Sequence, residues 1–217
     1  MSDCYIIPEK IVSTEMIVAN SRFISVAGPV FSTEEAREFI QSVKRQYPDA
    51  SHHVPAYVIG HGNSTVDYCS DDGEPSGSSG KPILSVLQGS GFGDAIIVVT
   101  RYFGGTKLGI GGLVHAYGDA AKSVLEIMPK AVKVSTCLVQ ISMPYSFYER
   151  IRLLIIRKNA QILDESFQGD VTITGRFLTK TFDQFQSDLS ELTAGKIQAQ
   201  IMDTNPETIM PFGAFEE

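Results

Sequence analysis

Apolar and polar positions along this chain switch between a period of two and a helical period, and the switches mark out its elements. Residues 11–18 and 22–30 read as two strands joined by a tight turn at Asn20-Ser21. Ile11, Val12, Met16, Val18, Phe23, Ile24 and Val26 are their core candidates. Ser32 and Glu35 have the spacing of a capping box, in which the hydroxyl and the carboxylate each satisfy an amide at a helix start. Ala36, Phe39, Ile40, Val43 and Tyr47 then recur at helical spacing until Pro48 stops the helix. Strands are predicted over 54–60 and 94–101, with a short one over 65–69 and a short helix over 82–88 between them. A helix from 112 to 128 turns Leu113, Ala116, Tyr117, Ala120, Ala121, Val124 and Leu125 inward. Its outer face carries His115, Asp119, Lys122 and Glu126.

Pro129 ends that helix, and a second pattern begins: strand 132–143, helix 146–158, strands 161–167 and 170–178, helix 182–194, strand 196–202. Ser146 with Glu149 and Thr181 with Gln184 are spaced to cap the two helices. The apolar stretches 95–99 and 153–156 suit a buried strand and the inner face of a helix. The order β-α-β-β-α-β is that of the ferredoxin-like split βαβ unit. The fold class is therefore α+β. Two domains are expected, 1–129 and 130–204, followed by a tail over 205–217, in line with the size of ordinary domains.

Charge narrows the function. The net charge is −7, spread as −4 over residues 1–130 (10 Lys and Arg against 14 Asp and Glu) and −3 over 131–217 (8 against 11). Proteins that grip nucleic acid by bulk phosphate neutralisation are usually basic, so any RNA contact is expected to be local, and no DNA specificity is evident. No run approaches the roughly 18 apolar residues of a membrane helix, and no secretory leader is visible, so the cytoplasm is the expected location. Cys4, Cys69 and Cys137 are too few and too scattered for a disulfide framework or a zinc site. Neither cofactor nor metal is expected.

Candidate chemistry gathers in two glycine-rich segments. The first runs Ser70-Asp71-Asp72-Gly73-Glu74-Pro75-Ser76-Gly77-Ser78-Ser79-Gly80-Lys81-Pro82. The second, from Thr100 to Gly112, packs Gly104, Gly105, Gly109, Gly111 and Gly112 into nine residues between a strand and a helix. Such an arrangement points free amides at a helix start, where an anion is favoured, and Arg101, Lys107 and Lys81 add positive charge. Neither segment has the spacing of a nucleotide-binding loop or a nucleophile elbow. An alternative stays open: Arg101 pairs with Asp72 or Glu74 and ties the two loops together. The acidic residues Asp67, Asp71, Asp72 and Glu74 read as a solvated turn. His52 and His53 are adjacent on a strand and so face opposite ways, which favours structural roles over a metal or acid/base pair. Arg150, Arg152, Arg157 and Lys158 form a basic edge on the first helix of the second domain, ordinarily a solvated face and otherwise the best local patch for phosphate.

The run Asp71-Asp72-Gly73-Glu74-Pro75-x-Gly-x-x-Gly-Lys81-Pro82 is followed by Arg101-Tyr102-Phe103-Gly104-Gly105-x-Lys-Leu108-Gly109-x-Gly111-Gly112-Leu113-Val114-x-Ala-Tyr117. With Ser51-His52-His53-x-x-Ala56-Tyr57 upstream, the sequence resembles the bacterial two-domain type of the IMPACT/YigZ family over essentially its whole length. The resemblance implies a first domain folded like the second domain of a small-subunit ribosomal protein or the fourth domain of elongation factor G. It implies a second domain like that factor's fifth. Eukaryotic members regulate translation by interfering with a starvation-activated kinase of an initiation factor. They do so largely through an additional N-terminal domain without a counterpart in these residues, so that mechanism is not expected to transfer directly. No catalytic residues carry over.

The expected function is that of a non-enzymatic regulator binding RNA, the ribosome or a translation factor, as a monomer or weak dimer. Arg101, Lys107, Lys81, Gly80 and the glycines at 104, 105, 109, 111 and 112 would meet an anion. Asp72, Glu74, His52 and His53 would support them. The alternative is an enzyme acting on a small anionic or phosphorylated metabolite at the same loops, with His52 or Asp72 as acid or base.

Overall fold

The structure, a computed structural model, describes residues 4–62 and 64–212. The side chain of Cys4 and the last five residues of the expected tail lie outside the described residues. The chain divides into two compact units. Tyr5–Ala131 form one, and Val132 onward belong to the other, against an expected boundary at Pro129.

The first unit holds β1 (Cys4–Pro8), β2 (Val12–Val18), β3 (Ser21–Pro29), α1 (Thr33–Gln46), β4 (His52–Ile59), β5 (Val66–Cys69), α2 (Gly80–Gly89), β6 (Ala95–Tyr102) and α3 (Gly109–Glu126). Five strands form an antiparallel sheet of order β2-β3-β6-β4-β5. β6 is central and covered on both faces, which is why it reads as an unbroken apolar run. On one face Ile24, Val26, Ile96 and Val98 pack with Ala36, Phe39 and Val43 of α1. On the other, Phe23, Ile97 and Val99 pack with Ile83 and Leu87 of α2 and the inward stripe of α3.

The capping box of α1 forms: the Glu35 amide donates to Ser32 Oγ (3.1 Å), and the Glu35 carboxylate reaches back to the Phe31 amide (2.9 Å). Three expectations change here. β1 was not anticipated; its Ile7 is fully buried, Ile6 bridges Phe92, and the Glu9 amide after it donates to the Pro129 carbonyl. The turn between β2 and β3 sits at Ala19-Asn20, both at positive φ, so Ser21 opens β3 and is buried. Ile11 precedes β2 and stays 61% exposed.

The second unit carries β7 (Lys130–Met143), α4 (Tyr145–Arg157), β8 (Gln161–Phe167), β9 (Val171–Leu178), α5 (Thr179–Thr193) and β10 (Gln200–Pro211). β9 lies antiparallel between β7 and β8, and β10 pairs with β7, so β10-β7-β9-β8 is the strand order of these four. Val139, Ile141, Ile173 and Phe177 pack under Ile151 and Ile155 of α4 and Phe185 and Leu189 of α5.

Neither expected cap forms in this unit. Pro144 and Leu178 stand at the N-caps without a side-chain bond, and the Thr181 hydroxyl donates instead to the Leu178 carbonyl (3.0 Å). The last strand starts at Gln200 rather than 196 and continues through residues expected to be tail, with Thr136 Oγ1 2.6 Å from Thr208 Oγ1 across the ladder. The stretch 153–156 does not all face inward either: Leu153 and Ile156 are 49% and 46% exposed. Four consecutive helical residues sweep too wide an arc to share one face.

Candidate functional site

The two glycine-rich segments meet at one end of the central strand β6, and each acidic residue of the first has a separate partner. Asp71 turns back onto its own loop. One carboxylate oxygen accepts from the Gly77 amide (2.7 Å), and the other from the Ser79 amide (3.1 Å), the Ser79 hydroxyl (2.7 Å) and the Gly80 amide (2.9 Å). The start of α2 is thus filled by a carboxylate of this chain, where sequence spacing had offered it to an external anion. Burial alone would raise the Asp71 carboxyl, but these donors together hold it below its ordinary value. Gly80 is required there for space: a Cβ would lie 2.7–3.0 Å from the Ser70 backbone.

Asp72, in left-handed backbone (φ 46°), ties the loop to α1 and β4. Its carboxylate accepts from Lys44 Nζ (3.1 Å) and the His53 amide (2.7 Å). Its carbonyl oxygen sits 2.8 Å from His52 Nδ1. A carbonyl only accepts, so Nδ1 carries a proton toward it. His53 turns the other way, and its Nε2 donates to the Tyr47 carbonyl (2.9 Å).

Glu74 joins the two segments. It is buried, and its Oε1 accepts from Arg101 Nη1 (2.6 Å) and the Tyr117 hydroxyl (2.8 Å), while His52 Nε2 stands 3.9 Å away. Glu74 is therefore not part of a solvated acidic turn. Arg101 is 5% exposed; its guanidinium lies 5.5 Å from the rings of both Phe23 and Phe103, and Nη2 donates to Ser21 Oγ (3.3 Å). Arg101 Nε is buried without a hydrogen-bond partner among the described residues. Burial pushes the Tyr117 phenol far up, and the hydrogen bond to Glu74 adds to the effect. The loop–loop ion pair is thus observed with Glu74, at the centre of the constellation.

The rest of the second segment is turned to solvent. Lys107, Gly105, Gly109 and Gly111 are exposed, Gly104 and Gly112 are half-buried, and Lys81 is exposed at the start of α2. Gly104 meets the β2–β3 turn so closely that a Cβ would overlap the Asn20 carbonyl. α3 starts at Gly109 instead of 112, with Leu108 at the N-cap and no side-chain cap. Phe103, Ile110 and Val114 are exposed beside it. Tyr117, Ser21, Ser79 and Lys44 were not singled out as site residues from sequence. The helical period placed Tyr117 inside, and a buried phenol needs a hydrogen-bond partner, which was the available signal. Among the described residues no three His, Cys, Asp or Glu side chains gather to hold a metal, and no helix is long and apolar enough to cross a membrane.

Comparison with known sequences and structures covers both units. Residues 19–125 match the Impact N-terminal domain, and residues 141–196 match a domain of unknown function, DUF1949. An IMPACT family member of Haemophilus influenzae is 35% identical over 200 residues, covering 92% of this chain and 97% of that protein. IMPACT family member YigZ of Escherichia coli is 32% identical over 197 residues, covering 90% and 97%. A crystal structure described as that of a hypothetical protein superposes with a TM-score of 0.63 at 31% identity, over 94% of this chain and 99% of that one.

Proposed function

This chain belongs to the IMPACT family, and from that premise we propose that it is a binding protein acting on translation, meeting RNA, the ribosome or a translation factor through the exposed part of its glycine-rich surface. One observation carries the reading. The charged residues Asp71, Asp72, Glu74 and Arg101 are engaged with one another and with the fold, while among the described residues Lys81 and Lys107 make no ion pair and the start of α3 has no side-chain cap. The paired groups form a rigid base, and the free ones form the contact surface.

Gly111 supports this division. It lies in the first turn of α3 with nothing within 4 Å of where a Cβ would stand, and its backbone is ordinary. Glycine in a helix costs about 1 kcal/mol against alanine, and nothing inside the unit requires it. Close approach of a partner backbone or phosphate to the helix start accounts for that cost.

The test is co-sedimentation with ribosomes and separated subunits at low and moderate salt, with the Lys81→Glu/Lys107→Glu variant alongside. Arg101 is a poor choice for substitution, because its loss disturbs the fold. Salt-sensitive binding that the double variant loses at unchanged melting temperature is the expected result. Absence of binding under every condition sinks the reading.

A second reading keeps one observation in its favour. His52 Nε2 stands 3.9 Å from Glu74 Oε1 and its side chain is 25% exposed, so a small anionic or phosphorylated metabolite would meet a carboxylate–imidazole pair there. Asp72 is a weaker acid or base in this arrangement, since both its oxygens are occupied. Turnover of any phosphorylated metabolite that His52→Ala abolishes would establish this reading in place of the first.

A further inference from the structure

Four of the eight Lys and Arg residues in 132–217 fall between 150 and 158, on or just after α4. The fold divides them into two pairs. Arg152 Nε approaches Glu165 of β8 (3.4 Å), and Lys158 Nζ approaches Asp188 of α5 (2.6 Å), so these two lie against the unit itself. Arg150 and Arg157 are exposed and make no ion pair among the described residues; Arg150 lies over the ring of Phe147 at 6.0 Å. Between them in sequence stand Leu153 and Ile156, about half exposed. Positions 150, 153 and 157 are three and four residues apart, and 153 and 156 are three apart, so all four side chains share one helix face. Glu149 borders that face at its N-terminal margin and is its only acidic member among the described residues.

From this arrangement we infer that the outer face of α4 is a docking surface for an acidic amphipathic helix of a partner protein. Arg150 and Arg157, seven residues apart, line one edge of the exposed Leu153 and Ile156 and match a helix with carboxylates along the border of an apolar stripe. Arginine is enriched at protein interfaces, where lysine and glutamate are depleted. A nucleic acid is a worse match, because two cations beside Glu149 neutralise few phosphates. The charge also favours this occupant. The chain carries −7 overall, so an acidic partner is repelled in general and attracted only at the few places where cations stand unpaired. This inference is independent of the glycine-rich surface.

The experiment uses the full chain and a fluorescent synthetic helix of about five turns, with a leucine stripe bordered by glutamates. Counterparts carry glutamine or lysine in place of glutamate, and an oligouridine serves as the nucleic-acid arm. Anisotropy titration is expected to show binding of the glutamate peptide, weakened at least about tenfold by Arg150→Glu/Arg157→Glu and by Leu153→Ser/Ile156→Ser. The lysine peptide is expected to bind the charge-reversed variant better than the parent, a gain that a misfolded variant could not produce. Absence of binding by the glutamate peptide, or affinity unchanged in both variants, overturns the inference. Oligouridine binding lost on charge reversal but kept in the serine variant overturns it in favour of a phosphate site. Self-association in sedimentation equilibrium that Leu153→Ser/Ile156→Ser abolishes overturns it in favour of a second copy of this chain.

Discussion

Asp71, Asp72 and Glu74 stand within four residues of one another, yet each is held by a different part of the first unit. Asp71→Asn leaves one acceptor oxygen for four donors and turns an amide group toward N–H groups. Urea unfolding at pH 7 is expected to show a loss of about 2–3 kcal/mol. Because the folded carboxyl is held below its ordinary value, its stabilisation is complete above roughly pH 4 and is lost as pH falls through the folded value. The difference between parent and Asp71→Asn should therefore close on acidification. Arg101→Met strands the buried Glu74 carboxylate and should cost about 3–5 kcal/mol, and adding Glu74→Gln should recover part of it. Tyr117 has the opposite sign. Its raised phenol keeps the proton, so its contribution is full below roughly pH 10 and declines as pH rises beyond that value. Parent stability should fall more steeply than that of Tyr117→Phe in an alkaline titration of the melting temperature.

At the scale of elements, α3 separates what the fold requires from what it does not. Its buried stripe of Leu113, Ala116, Tyr117, Ala120, Ala121 and Val124 was legible from period alone, because a helix against a sheet must repeat near 3.6. Its start was not legible, since glycines usually signal a loop and here they enter the helix. Gly111→Ala is expected to stabilise the protein by up to about 1 kcal/mol in thermal melts, because the added methyl meets open space. The same substitution should weaken the proposed translation contact; unchanged co-sedimentation would remove Gly111 from that surface. α4 shows the limit of composition. Its four cations look alike in sequence, and only Glu165 of β8 and Asp188 of α5 sort them into two that are paired inside the unit and two that are free.

For the whole molecule, charge sets the form that any nucleic-acid contact can take. With a net charge of −7, and with Lys81 and Lys107 the exposed cations of the glycine-rich segments among the described residues, few phosphates can be neutralised. A plot of log affinity against log salt for RNA should then have a shallow slope of about −1 to −2, well short of the steep slopes of basic binding proteins. A much steeper slope would move the contact to another surface.

Periodicity and proline positions determined the α+β class and nearly every element. These are local consequences of burying one face of a strand or helix, and they are written in neighbouring residues. The family likeness lay in the two glycine-rich runs themselves. Which of their charges face solvent was decided only by tertiary structure. Glu74 and Arg101 are 27 positions apart and Glu74 and Tyr117 are 43 apart, and no local rule pairs them. Their meeting depends on β6 and α3 bringing the second segment against the first. Burial then selects pairing over solvation, because a charge removed from water needs a partner close at hand.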